Sequence, residues 1–341
     1  MILGQVTLRW VAPLVALVIV GSGLAACGTG SHTATQSSPA LLSWHRRAPA
    51  AEGLDPGLSS KIDRAVRSEH RGVTSVLVAR HGALVIERYY GIRPGDRWPV
   101  FSVTKTVVSA LVGIALAEGW LRTVDESVSE VIPQADRRIR IRDLLSMTAG
   151  YGRELNFGPT DATALAGRPL VNPPGQTFLY DSGSFDLLAE ILFRITGTTA
   201  ADYARRRLFG PMGVRGIRWP GSHGGSGLLL RPRELLAFGQ MYLDGGWWKG
   251  RRVVPAAWVR TSTRAHVTVP SDQGVAGGYG YGWWVEAHRP RYFAAHGYLG
   301  QVLAVFPGLD EVIVVTADGS DIHTLGLVGL IRRATHGPSG G

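Results

Sequence analysis

The chain has 341 residues, 45% of them hydrophobic, which is length for one large domain or two interleaved lobes with a sizeable core. Its net charge of +10 is spread over short arginine clusters such as Arg205-Arg206-Arg207 and Arg332-Arg333, with no long basic block and no nucleic-acid-binding motif. That excludes a nucleic-acid partner and leaves an arginine-biased surface, or attraction to anionic head groups and wall polymers.

Arg9 precedes an apolar run from Trp10 to Val20, and Gly21-Ser22-Gly23-Leu24-Ala25-Ala26-Cys27 follows. This is the layout of a secretory leader, and the run is short for a membrane span. Residues 24–27 are similar to a bacterial lipobox, in which Cys27, the single cysteine, becomes the lipidated first residue. A free thiol or an intermolecular disulfide is the alternative for Cys27. The expectation is export and lipid anchoring at the outer face of the cytoplasmic membrane. With no second cysteine, the domain relies on packing even outside the cytoplasm. Residues 28–57, rich in Gly, Ser, Thr, Ala and Pro, read as a flexible tether of roughly 30 Å average reach.

The folded part is expected over 58–335. Leu58, Ile62 and Val66 at spacing four predict a helix over 58–69. Residues 72–79 and 83–90 read as strands of a hairpin around Arg80-His81-Gly82. The nearly all-apolar run 106–118 predicts a helix buried in the core, with Ser102 at its N-terminus. Helical patterns recur over 184–195, 233–243 and 255–260, between Gly- and Pro-rich loops at 150–176 and 209–227. Strands are predicted over 279–286, 292–296, 301–306 and 311–316, and a last helix over 323–335. Strands at both ends of a helical middle predict an α+β fold. A sheet lobe (58–100 and 277–335) is flanked by helices, a helical lobe spans 101–276, and a cleft lies between them. No repeats occur.

Ser102-Val103-Thr104-Lys105 falls where the chain passes from one lobe to the other. Three residues is almost one helical turn, so the hydroxyl and the amine lie on one face within hydrogen-bonding reach. Lysine is one of three in the chain, the others being Lys61 and Lys249, and unlike arginine it can release its proton. Lowering a lysine from about 10.4 to about 7 takes roughly 4 to 5 kcal/mol, and burial and a helix N-terminus both act in that direction. The pair needs partners. Downstream, Tyr180-Asp181-Ser182-Gly183 offers a phenol followed by a small hydroxyl, and His296-Gly297-Tyr298-Leu299-Gly300-Gln301 lies between two strands.

Together these motifs resemble, over residues 58–335, the serine beta-lactamase and penicillin-binding-protein superfamily. The resemblance is to its class C-like branch of esterases, D-aminopeptidases and DD-carboxypeptidases. Residues 139–150 and 226–235 look like helices of that family. The resemblance implies a beta-lactamase/transpeptidase-like fold, Ser102 as acylated nucleophile, Lys105 as its proton partner and Tyr180 as second base and leaving-group acid. It further implies an oxyanion hole from the backbone N–H of Ser102 and Leu299, with His296 and Gly297 as the sheet-edge motif. Ser182 stands where many relatives carry Asn, and His296 where beta-lactamases carry Lys. The forms Tyr-x-Ser-Gly and His-Gly-x-x-Gly-Gln look like the branch that includes 6-aminohexanoate-dimer hydrolase, an amidase and carboxylesterase.

The expected function is a monomeric, lipid-anchored serine hydrolase that cleaves a small-molecule or peptide ester or amide. The alternatives are a DD-carboxypeptidase or beta-lactamase type enzyme and a non-catalytic regulatory module. Simpler readings stand beside each residue: Tyr180 as a packing tyrosine, Ser182 as a helix N-cap, His296 as a strand histidine, and Gln301 as either an acyl-site contact or a strand start. Residues 277–284 either line the cleft or form a glycine-kinked edge strand. His81, His223, His266, His288 and His323 have no ligand spacing, so no metal or cofactor is expected.

Overall fold

Alternation along the strands divides the sheet's apolar side chains between two cores, and that division organises the whole domain. The computed structural model describes residues 42–152, 161–271, 277–286, 291–319 and 324–335. The leader, Cys27, residues 28–41, His288 and His323 lie outside them. Its main elements, in chain order, are α1 (Leu58–Ser68), β1 (Val73–Arg80), β2 (Ala83–Tyr89), α2 (Thr104–Ala117), α3 (Ser182–Thr196) and α4 (Pro232–Leu243). Then come β3 (Val267–Thr268), β4 (Gly278–Tyr279), β5 (Trp284–Glu286), β6 (Tyr292–Gly297), β7 (Gln301–Phe306), β8 (Glu311–Ala317) and α5 (Thr324–Thr335).

The strands form one antiparallel sheet in the order β2-β1-β8-β7-β6-β5-β4-β3, so both ends of the folded chain share it, as expected. Val76, Val78, Ile313 and Val315 face Leu58 and Ile62 of α1 and Leu327 and Ile331 of α5. Their neighbours Leu77, Ala79, Val312 and Val314 face the larger core, shared with α2, α3 and α4. Among the described residues no helix is long and apolar enough to cross a membrane.

The helical region differs from the expected separate lobe. Helix α4 lies directly on the sheet: a Cβ on Gly239 would come within 2.6 Å of the Leu303 and Val312 side chains, so the missing side chain permits the contact. Strand β3 also joins the sheet from within 101–276. Two predicted helices shrink. Of 139–150, only Ile141–Leu145 is helical, and of 226–235 the helix begins at Pro232, the preceding Leu229–Leu230 forming a two-residue ladder with Trp98–Pro99. Proline at the first helical position explains that late start. The expected strand 279–286 is broken into the hairpin β4–β5 by a tight turn at 280–283, where Gly280 N–H bonds the Trp283 carbonyl at 2.8 Å and Gly282 takes φ +82°.

Residues 42–57, read as tether, are packed onto the domain. Leu54 is buried, Trp44 meets Trp248 edge-on at 5.6 Å, and Lys249 Nζ donates to the Ser43 carbonyl at 3.0 Å. Small and polar residues hid two anchors, a tryptophan and a leucine.

Candidate active site

Helix α2 begins two residues after Ser102, which sits in a short 3-10 turn (Phe101–Val103). Ser102 is half-buried, while Lys105 is 1% exposed. Lys105 Nζ donates to Ser102 Oγ at 3.0 Å, to Ser182 Oγ at 3.2 Å and to the Gly225 carbonyl at 2.7 Å. No carboxylate among the described residues pairs with it. The hairpin turn seats this helix end: Gly282 N–H bonds the Leu145 carbonyl at 3.1 Å, and a Cβ there would lie 3.0 Å from the Lys105 carbonyl.

Tyr180 places its ring centroid 5.0 Å from Lys105 Nζ and stacks on Trp284 at 5.8 Å with planes 8° apart. Residues 277–284 thus kink the sheet and lead into an aromatic wall of the site, but β4 is not the edge strand the sequence allowed, since β3 pairs outside it. The N-cap of α3 is Asp181, not Ser182. Its carboxylate accepts from Gly183 N–H and Ser184 N–H at 3.1 Å and from Ser184 Oγ at 2.9 Å. The Arg168 guanidinium completes it with two bonds, at 2.8 and 3.3 Å, and lies over the Tyr151 ring at 4.3 Å. With the cap supplied by Asp181, the Ser182 hydroxyl is free to meet Lys105.

The third motif ends β6. Gly297 has a steric reason to be glycine, because a Cβ would fall 2.4 Å from the Val100 carbonyl, two residues before Ser102. Leu299 adopts φ +61° and Phe101 φ +46°, left-handed conformations that are uncommon for bulky side chains and need surrounding structure to hold them. One such support is an edge-on contact between Phe101 and Tyr298 at 5.7 Å, which joins the residue before Ser102 to the residue before Leu299. Gln301 is the other. Its Nε2 donates to the carbonyls of Ala317 at 2.6 Å, Tyr298 at 3.2 Å and Leu299 at 3.3 Å, and its Oε1 accepts from Ala317 N–H at 3.2 Å. Fully buried with its amide committed to backbone, Gln301 braces the turn and begins β7, so the acyl-site contact expected of it is not made.

His296 stands 6.3 Å from Trp284, edge to face. Burial pushes its imidazole down to about 4, and its Nε2 is buried without a hydrogen-bond partner among the described residues. It is therefore neutral at pH 7 and supplies no fixed cation. Ser102, Lys105, Tyr180 and Ser182 thus come together, with His296 and Gly297 at the rim. Sequence reasoning missed the Gly225 carbonyl, Asp181 as cap and Arg168, while Trp284 ends the stretch 277–284 that it allowed to line the cleft. The Gly224-Gly225 pair was the available signal for the first, since adjacent glycines often mark close backbone approach.

Comparison with known proteins reaches the same place. The Beta-lactamase family profile matches residues 58–326. A 6-aminohexanoate-dimer hydrolase of Paenarthrobacter ureafaciens is 26% identical over 333 residues, covering 82% of each chain. A D-aminopeptidase of Cereibacter sphaeroides is 29% identical over 162 residues, 40% of this chain and 31% of that one. Among solved structures, EstCE1, a hydrolase with promiscuous acyltransferase activity, shares the fold at TM-score 0.71 and 18% identity, over 82% of this chain and 98% of its own. Because the profile spans most of the domain that carries the serine–lysine pair, the chain belongs to the Beta-lactamase family and is a serine hydrolase of ester or amide bonds.

Proposed function

We propose that this hydrolase is an esterase or amidase working through an acyl-enzyme on Ser102. The observation that carries the proposal is the set of partners around Lys105. A carbonyl can only accept, so Gly225 takes one N–H; Ser182 takes a second; and in the neutral amine the lone pair then points to the Ser102 hydroxyl. Ser102 Oγ attacks the substrate carbonyl as its proton passes to Lys105. The oxyanion is held by the N–H groups of Ser102 and Leu299, an arrangement worth roughly 3 to 4 kcal/mol per donor. Tyr180 gives its phenolic proton to the departing alkoxide or amine and is restored by the proton that Lys105 took from Ser102. Water then attacks the acyl-enzyme, giving up a proton to the same pair, and the acid leaves with Ser102 restored.

A neutral His296 favours substrates that need no carboxylate anchor. Simple p-nitrophenyl esters and amides are expected to turn over faster than nitrocefin or D-Ala-D-Ala peptides. Faster nitrocefin hydrolysis would replace the proposal with a beta-lactamase. A fluorophosphonate probe is expected to add one mass increment to the protein and none to Ser102→Ala; an unlabelled, folded wild type would point to a non-catalytic module. Export and lipidation at Cys27 belong to the same proposal and rest on the leader's layout. Palmitate incorporation that persists in Cys27→Ser would refute them.

A further inference from the structure

The Gly225 carbonyl that Lys105 uses belongs to a loop tied at its flanks, where Trp219 Nε1 donates to the His223 carbonyl at 3.0 Å and the Ser226 carbonyl at 3.1 Å, but these bonds do not reach the Gly225 peptide itself. Gly224 and Gly225 are adjacent, and two glycines in a row give a backbone its greatest conformational freedom. The loop lies against the first turns of α3. A Cβ on Gly224 would fall 1.7 Å from the Phe185 carbonyl, and one on Gly225 would fall 3.0 Å from Ser182 Cβ. Contact that close excludes side chains but does not itself orient a peptide.

The orienting bond comes from Asp186, whose Oδ1 accepts the Gly225 N–H at 2.8 Å. Asp186 follows Ser182 by four residues on α3, one helical turn, so the two face the same way. One helix edge thus reaches Lys105 twice, directly through Ser182 Oγ and indirectly through Asp186 and Gly225. Asp186 is half-buried and no cation among the described residues pairs with it, so its bond to the glycine is charge-assisted and undivided.

We infer that Asp186 is a positioning residue for the reaction: it pins Gly225 so that the carbonyl keeps one Lys105 N–H occupied and the amine aimed at Ser102. The inference rests on the acyl-enzyme proposal above. Asp186→Asn keeps the accepting oxygen, whereas Asp186→Val removes it and Asp186→Ser is too short to reach. With p-nitrophenyl acetate as substrate, Asp186→Val and Asp186→Ser are expected to lower kcat by about tenfold to a hundredfold, the range for displaced catalytic groups, with KM changed less than about threefold. The labelling rate of Ser102 by fluorophosphonate falls in parallel, and Asp186→Asn stays within about threefold of wild type.

Full kcat in folded Asp186→Val, or an Asp186→Asn loss equal to that of Asp186→Val, overturns the inference. The second outcome would assign the effect to charge instead of position. Circular dichroism and a thermal melt confirm folding, and if the valine variant does not fold, the serine variant decides. Wild type and Ser102→Ala run alongside: labelling absent from wild type defeats the acyl-enzyme proposal itself, while labelling equal in wild type and Asp186→Val defeats only the role of Asp186.

Discussion

Lys105 and Glu311 are both fully buried ionisable groups, and the protein treats them in opposite ways. Lys105 has three neutral oxygens and no counter-ion among the described residues. Glu311, at the start of β8, has a counter-ion: Arg80 Nη1 lies 3.3 Å from its Oε2. Yet Glu311 Oε1 and Arg80 Nε remain without partners among the described residues, and burial pushes the carboxyl up to about 7 against the pull of Arg80. In the proposed mechanism Lys105 gains and loses a proton, and the dipoles around it accept either protonation state. A group that only joins two strands receives a charge, and imperfectly, since a buried pair recovers its desolvation only with full hydrogen bonding.

The sharpest way to break this contrast is Lys105→Arg, which keeps a cation but removes the releasable proton. It is expected to lower kcat by about 10³ to 10⁴ in initial-rate assays on p-nitrophenyl esters, and retention of a tenth of the activity would end the contrast. Next, Arg168→Met gives Asp181 the isolation that Lys105 tolerates. A buried carboxylate left without its cation should lose about 3 to 4 kcal/mol in urea unfolding, and a loss below about 1 would show that the helix cap alone suffices.

Glu311→Gln tests the other side. Because the folded carboxyl titrates at about 7 instead of 4.5, its stabilising contribution is present below pH 4.5 and is lost as pH rises to about 7. By linkage the loss is at most about 3 kcal/mol, and the glutamine variant should be flat through that window. His296 has the opposite sign. Its pKa of about 4 in place of 6.5 means that stability is full above 6.5 and is lost as pH falls to about 4. After screening at a half-buried site the loss is about 2 kcal/mol, and His296→Gln should remove it. Thermal melts across pH 4 to 8 read both slopes, which oppose one another between about 4.5 and 6.5.

What could be read from the chain follows the range of the interactions. Ser102 and Lys105 share one turn, so their spacing revealed their contact. Strands β1, β2, β7 and β8 announced themselves as β-branched runs, and α2 as an apolar one. The Gly225 carbonyl is 120 residues from Lys105, and nothing local marks which peptide of a glycine loop will turn towards an amine. Likewise, the missing side chain at Gly239 in α4 is explained by the sheet beneath it, which lies far away in the chain. Asp181 was seen as the middle letter of a motif, because a cap is recognised by the helix it starts, and that helix was expected two residues later.

The packed segment 42–57 has a further consequence at the border of the sheet. Strand β2 is outermost, but Leu84 N–H bonds the His45 carbonyl at 2.8 Å, Arg47 N–H bonds the Leu84 carbonyl at 3.2 Å, and Arg46 pairs with Glu87. An unpaired outer strand is a template for edge-to-edge aggregation, and natural sheets blunt it with charge or with a covering strap. Here the strap is the stretch of chain that leads into α1, so proteolytic trimming to residue 48 would free the Leu84 N–H and carbonyl to pair with a neighbouring molecule.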